Sequence, residues 1–234
     1  MKFTYLLIDF FTIIVPFIFS FHPKLNFYKT WKAFFPAVLI TGLVFVLWDI
    51  YFTSIGVWGF NEQYLIGSRI GNLPVEEVLF FLCIPYACVF TYHCLDLFIK
   101  KAMSASLERM LTPAFIVAFA ITGLLSISQI YTCVTFLGLS VLLFLAKYVL
   151  KVGWLDKFYV IYAVLLFPFT IVNGLLTGTA LENPVVWYNE SQIFGLRLLT
   201  IPVEDVFYGM ALILLNLLIY KHLIRRADKL SGKL

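Results

Sequence analysis

The run Asn61-Glu62-Gln63-Tyr64-Leu65-Ile66-Gly67-Ser68-Arg69-Ile70-Gly71-Asn72-Leu73-Pro74-Val75-Glu76-Glu77-Val78-Leu79-Phe80 returns as Asn189-Glu190-Ser191-Gln192-Ile193-Phe194-Gly195-Leu196-Arg197-Leu198-Leu199-Thr200-Ile201-Pro202-Val203-Glu204-Asp205-Val206-Phe207-Tyr208. At a constant shift of 128 positions and with no gap, Asn, Glu, Gly, Arg, Pro, Val, Glu and Val coincide, and Glu77 meets Asp205. Self-similarity over such a distance marks a duplicated unit. Working outward, the same shift carries the three apolar stretches around the first run onto the three around the second and leaves one between them, a 3+1+3 plan. Four crossings separate equivalent helices, so both copies enter a membrane in the same direction. Parallel repeats of this kind are related by a pseudo-twofold axis along the membrane normal. Glu76 and Glu204 are therefore expected at similar depth, facing one cavity between the halves.

Composition sets the medium. With 62% hydrophobic residues, 13% charged residues and a mean hydropathy of +0.96, the chain is too apolar for a water-soluble domain. Spanning takes about 20 mostly apolar residues, and seven stretches qualify: 3–21, 31–52, 75–99, 112–127, 131–150, 158–177 and 203–223. The fourth is short and carries Thr122, Gly123, Ser126 and, just beyond it, Ser128. Alternation puts Lys24, Lys29, Lys32, Lys100, Lys101, Arg109, Lys147, Lys151, Lys157, Lys221, Arg225, Arg226, Lys229 and Lys233 on one side, and only Lys2, Arg69 and Arg197 on the other. Because Lys and Arg collect on the cytoplasmic side, the expectation is an all-α integral membrane protein of the cell membrane. It has seven transmembrane helices, the N-terminus outside and the C-terminus in the cytosol. Residues 1–100 form the first three-helix repeat, 101–130 a linker with one transmembrane helix, and 131–234 the second repeat. Met1-Lys2-Phe3 runs straight into apolar sequence and reads as the first span, not a removed signal peptide.

Several function classes drop out. There is no basic cluster for nucleic acid. Cys83, Cys88, Cys94 and Cys133 lie in apolar runs without CxxC spacing and read as small packing residues, so no metal and no disulfide framework is expected. The informative sequence lies in the two long outer connections, 53–74 and 178–202, and in the helix starts that follow them.

Pro-Val-Glu-Glu and Pro-Val-Glu-Asp stand where those connections become spans three and seven. Proline at the first helical position and acids in the first turn are good capping chemistry. Carboxylates at a membrane boundary are costly, however, and intramembrane acids usually line a site, a relay or a pathway. Neighbouring residues on a helix point about 100° apart, so at most one acid of each pair is expected to face inward, and Glu76 and Glu204 are favoured over Glu77 and Asp205. Arg69 and Arg197 are either charge partners of these acids or interfacial anchors. Asn61 and Asn189, with Gly67 and Gly195, build matching turns. Asp49, late in span two, is a second-tier acid with Asn173 as its nearest counterpart. Trp58, Phe60, Trp187, Tyr188, Phe80 and Tyr208 surround the motifs, and aromatic faces stabilise cations. Acids beside aromatics in an apolar cavity suit carbocation chemistry.

Leu73-Pro74-Val75-Glu76-Glu77 and Ile201-Pro202-Val203-Glu204-Asp205, set in duplicated three-span units, resemble the small membrane-embedded lycopene cyclase family. That family is known as two separate subunits, as a single fused chain, and as the cyclase half of a bifunctional fungal protein. The resemblance covers both repeats, with span four as the fusion linker; Asp205 stands where the family more often has Glu, and the loop around Glu182-Asn183-Pro184 is longer than its counterpart. The resemblance implies lycopene and related carotenoids as substrates and the bilayer as surroundings. It also implies redox-neutral cyclisation of the ψ ends of lycopene to β-ionone rings, giving γ-carotene and then β-carotene. An acid delivers a proton to the terminal C1–C2 double bond, the C5–C6 double bond attacks, and a base removes a proton from C6. Glu76 or Glu204 is expected as the acid, its counterpart as the base, and Glu77, Asp205, Arg69 and Arg197 as tuning groups. No cofactor is expected, since nothing resembles the dinucleotide fingerprint of the flavin-dependent cyclases.

A small sugar transporter of the SWEET type shares the seven-span parallel plan. Its repeated prolines are missing here, since Pro16 and Pro36 fall opposite Phe144 and Val164. A retinal protein needs a lysine in the middle of the last span, and Lys221 lies at its end.

Overall fold

The computed structural model describes residues 1–100 and 102–230, so Lys101 and Lys233 of the charge count lie outside the described residues. Seven helices are present among them: α1 (Thr4–Phe19), α2 (Trp31–Ser54), α3 (Val75–Phe98), α4 (Ala105–Leu125), α5 (Ile130–Phe144, prolonged by a π-helical turn Leu145–Val149), α6 (Leu155–Leu176) and α7 (Val203–Leu230). All but α1 are long and apolar enough to cross a membrane. At 16 residues, α1 reaches about 24 Å against a hydrocarbon core of about 30 Å. Leu39, Leu43, Val117 and Phe167 are among many large apolar side chains left exposed. A bilayer is the medium that covers such a surface, and helices are suited to it because their backbone polar groups are satisfied internally. The protein is a multi-pass integral membrane protein.

The fourth helix is longer than its apolar stretch predicts. Ser104 caps it by accepting from the Leu107 amide (3.2 Å). Its charged first turns are neutralised where Lys147 reaches Glu108 (2.5 Å). A capped and ion-paired start lets the helix begin seven residues before position 112.

Helix packing follows the duplication. Within each copy the first helix lies on the third, α1 on α3 and α5 on α7, while the second helix touches the third helix of both copies. Thus α2 packs against α3 and α7, and α6 against α3 and α7. The extra helix α4 rests on α5, where Gly123 permits the approach: a Cβ there would stand 2.6 Å from Leu137 Cγ and 3.1 Å from the Cys133 carbonyl.

The long α2–α3 and α6–α7 connections add short strands to the helical plan. β1 (Trp58–Phe60) pairs antiparallel with β4 (Val186–Tyr188), Gly59 facing Trp187, and so ties one copy's loop to the other's. β2 (Arg69–Ile70) and β3 (Leu73–Pro74) make a hairpin before α3; β5 (Arg197–Leu198) and β6 (Ile201–Pro202) make its twin before α7. The twins are equivalent down to the backbone. Gly71 at φ +64° corresponds to Leu199 at φ +59°, a left-handed conformation that costs leucine but not glycine.

Candidate active site

Each hairpin delivers its Pro-Val-Glu-(Glu/Asp) motif to the first turn of a helix. The Val75 amide donates to the Ser68 carbonyl (3.0 Å) and the Val203 amide to that of Leu196 (2.9 Å), fixing where α3 and α7 begin. From there the two acids of each pair part company.

Glu76 and Glu204 are fully buried and turn back under their own loops. Glu76 Oε1 accepts from the Ile66 amide (2.7 Å), and Glu204 Oε1 from the equivalent Phe194 amide (2.6 Å) and from the Thr132 hydroxyl (2.5 Å). Glu77 and Asp205, also buried, instead line a cavity of about 620 Å³ enclosed by α1, α3, α6 and α7 and roofed by Trp58, Phe60, Val186 and Tyr188. The expected assignment within each pair is thus reversed: all four acids are inside, Glu76 and Glu204 brace the loops, and Glu77 and Asp205 face the cavity. The reason is steric. The loop segment that precedes each hairpin folds back over the helix start and puts the Ile66 and Phe194 amides within reach of the first acid of its pair.

The two cavity acids differ in their partners. The Tyr5 hydroxyl donates to Glu77 Oε2 (2.6 Å). Asp205 accepts from the Tyr131 hydroxyl (2.6 Å), the Tyr188 hydroxyl (2.8 Å) and the Asn173 side-chain carboxamide Nδ2 (3.3 Å). Three converging donors suit an ionised carboxylate. Tyr188 lies in the connection between α6 and α7, outside the helices, where burial and then the Asp205 carboxylate push its phenol well above the ordinary range, so it stays a donor. Asp49 joins the same cavity, and its Oδ2 has no partner among the described residues. Aromatic rings close the wall around them: Trp58 lies edge-on to Tyr131 (5.0 Å between centroids) and to Tyr208 (6.3 Å), and Tyr131 stacks on Tyr188 (6.0 Å). Phe80 also lines the cavity.

Other expected residues serve the loops. Arg69 pairs with Glu62 and donates to the Asn72 carbonyl (2.7 Å); Arg197 pairs with Glu190 (2.6 Å) and donates to the Thr200 carbonyl (2.6 Å). Neither guanidinium hydrogen-bonds a motif acid, because each is held across its own hairpin, but Arg197 also lies over the Tyr188 ring (5.9 Å to the centroid) and its charge acts on Asp205. Asn61 and Asn189 cap short 3-10 turns by accepting from the Gln63 (3.0 Å) and Ser191 (3.1 Å) amides. Trp187 points outward, packed over Gly59 and outside the cavity lining, because alternation along β4 turns it away from Val186 and Tyr188.

Tyr5, Tyr131 and Thr132 are the partners that sequence reasoning missed, together with Asp9, a buried acid one turn from Tyr5 whose oxygens have no partner among the described residues. A signal existed. Shifting the comparison of the first helices from 128 to 126 positions lays Tyr5 on Tyr131 and Asp9 on Thr135.

The family model described as lycopene cyclase matches residues 2–95 and again residues 128–223. Its two matches start 126 positions apart and end 128 apart, the same two-residue slip that separates the tyrosines from the acids they hold. Comparison with curated proteins and with solved structures gave no match. Since the two matches cover most of the chain and contain both hairpin motifs with their tyrosine partners, the protein belongs to the lycopene cyclase family, with the family domain present twice in tandem.

Proposed function

We propose that this protein is a lycopene β-cyclase that closes ψ ends to β-ionone rings in one site shared by its two copies. The observation that carries this reading is the single apolar cavity onto which Glu77 of one copy and Asp205 of the other both face, beneath a ring of aromatic side chains. In the proposed mechanism Glu77, with Asp49 nearby, supplies the proton to the terminal C1–C2 double bond. The C5–C6 double bond attacks the resulting cation at C1, and the charge moves to C5. Tyr208, Trp58 and Tyr131 line this cationic path, and the π face of an aromatic ring stabilises a cation. Asp205, held by three donors, removes the C6 proton, so one proton enters, one leaves and no electrons are transferred. Glu76 and Glu204 keep the hairpins in place. A largely apolar lining offers a sugar few hydrogen-bonding partners, which argues against the transporter reading.

The same proposal includes seven crossings with the N-terminus outside. It rests on the equivalence of α1 and α5 in their packing and on the one-sided distribution of Lys and Arg.

Expression in a lycopene-accumulating bacterial host, with carotenoids resolved by chromatography, tests the reading. Wild type is expected to yield γ-carotene and β-carotene. Glu77→Gln and Asp205→Asn should each cut ring formation by about 100-fold or more, the usual scale of acid–base catalysis. Glu76→Gln and Glu204→Gln should lower the amount of folded protein while leaving turnover per folded molecule near wild type. Unchanged lycopene with well-expressed wild type would refute the substrate assignment; turnover lost in the second pair and kept in the first would return the chemistry to Glu76 and Glu204.

A further inference from the structure

The cavity has one reactive end and one open side. Its carboxylates and its carboxamide, Asp49, Glu77, Asn173 and Asp205, all sit at the end covered by the loops. From Glu77 the lining continues along α3 through Ile84 and Cys88 to Thr91, about 21 Å at 1.5 Å per residue. The far portion is walled mainly by apolar residues. Among the lining residues, Leu7 and Phe11 of α1 and Ile171 of α6 are also 48%, 66% and 53% exposed. A side chain that lines a cavity and is exposed at once marks a mouth. These belong to helices whose outer surface is lipid-facing, so the mouth opens sideways into the bilayer and not to water.

We propose that a linear polyene enters through this lateral mouth between α1 and α6 with one end leading, so that a substrate with two reactive ends must leave and return between its two ring closures. The inference rests on the cyclase reading and adds to it the route and the order of events. With the acids confined to one end, the second terminus of a long, stiff, conjugated chain lies away from them while the first reacts. An apolar substrate dissolved in the membrane needs no aqueous path, and the monocyclic product returns to the same lipid pool.

Two measurements on the purified full chain in lipid vesicles test this. In the first, isotope-labelled lycopene is allowed a partial turnover and then chased with excess unlabelled γ-carotene. The expected result is free labelled γ-carotene before the chase and strong suppression of labelled β-carotene after it. Labelled β-carotene that forms without a free monocyclic stage and ignores the chase would overturn the proposal. In the second, Leu7→Trp combined with Ile171→Trp narrows the mouth, with Leu39→Trp as a control on an exposed part of α2 that does not line the cavity. Restricted access should lower kcat/KM by about tenfold through KM with kcat within about twofold, and leave the control unchanged. A doubly substituted protein equal to wild type, or a loss confined to kcat, would also overturn it. Wild type that makes no ring at all would instead remove the cyclase reading beneath the proposal.

Discussion

Asp205 and Glu77 occupy equivalent positions but accept different numbers of hydrogen bonds, three against one. The difference arises from two side chains the first copy does not match in kind: Asn173 stands where Asp49 would be expected, and Tyr188 falls opposite Phe60, which has no hydroxyl. A hydrogen bond to a charged group contributes about 1.5–3 kcal/mol. If Asp205 is the base, Tyr131→Phe and Tyr188→Phe should each slow ring closure by about ten- to a hundredfold with little change in KM. Steady-state kinetics on vesicle-reconstituted protein would read this, and a change in KM alone would contradict the role given to Asp205. Tyr5→Phe is the parallel test for Glu77.

At the scale of elements, α4 joins the copies without lining the cavity, and its hold on α5 runs through Gly123. Gly123→Ala places a methyl group against Leu137 and the Cys133 carbonyl. Small residues allow membrane helices to approach closely, and overpacking costs about 1–3 kcal/mol. The variant should therefore melt at a lower temperature in detergent while the ratio of monocyclic to bicyclic product stays at the wild-type value. A changed product ratio would show that α4 reaches the chemistry after all. The hairpins behave differently. Each is fixed from below by a buried glutamate and from the side by an arginine that spans it, so the loops and the helix starts form single units.

Across the whole molecule, both copies contribute to the cavity, and in the proposed mechanism neither holds a complete site. Glu77, Asp49 and Tyr5 come from the first and Asp205, Tyr131, Asn173 and Tyr188 from the second, while β1–β4 pairing and the α2–α7 and α3–α6 contacts clasp the two together. Residues 1–100 and 101–234 expressed as separate chains should co-purify and recover ring formation, and each alone should be inactive in the lycopene-accumulating host. Activity from one fragment alone would show that a single copy suffices.

The sequence alone determined the medium, the duplicated plan and the hairpin motifs. Apolar length, charge placement and a gapless repeat are local properties that survive without coordinates. It also singled out Asp49, Trp58, Phe80 and Tyr208, all of which line the cavity, since these lie close to the motifs in sequence or late in a helix running toward them. Tertiary structure decided which acid of each pair faces the cavity, because that depends on how the loop segment before each hairpin folds back over the helix start. It decided that Arg69 and Arg197 are held across their hairpins, and that Tyr5 and Tyr131 reach Glu77 and Asp205 from helices more than seventy residues away. Periodicity cannot register such partners. The two-residue slip between copies hid them from a constant offset, and the packing of α1 on α3 and α5 on α7 brings them in.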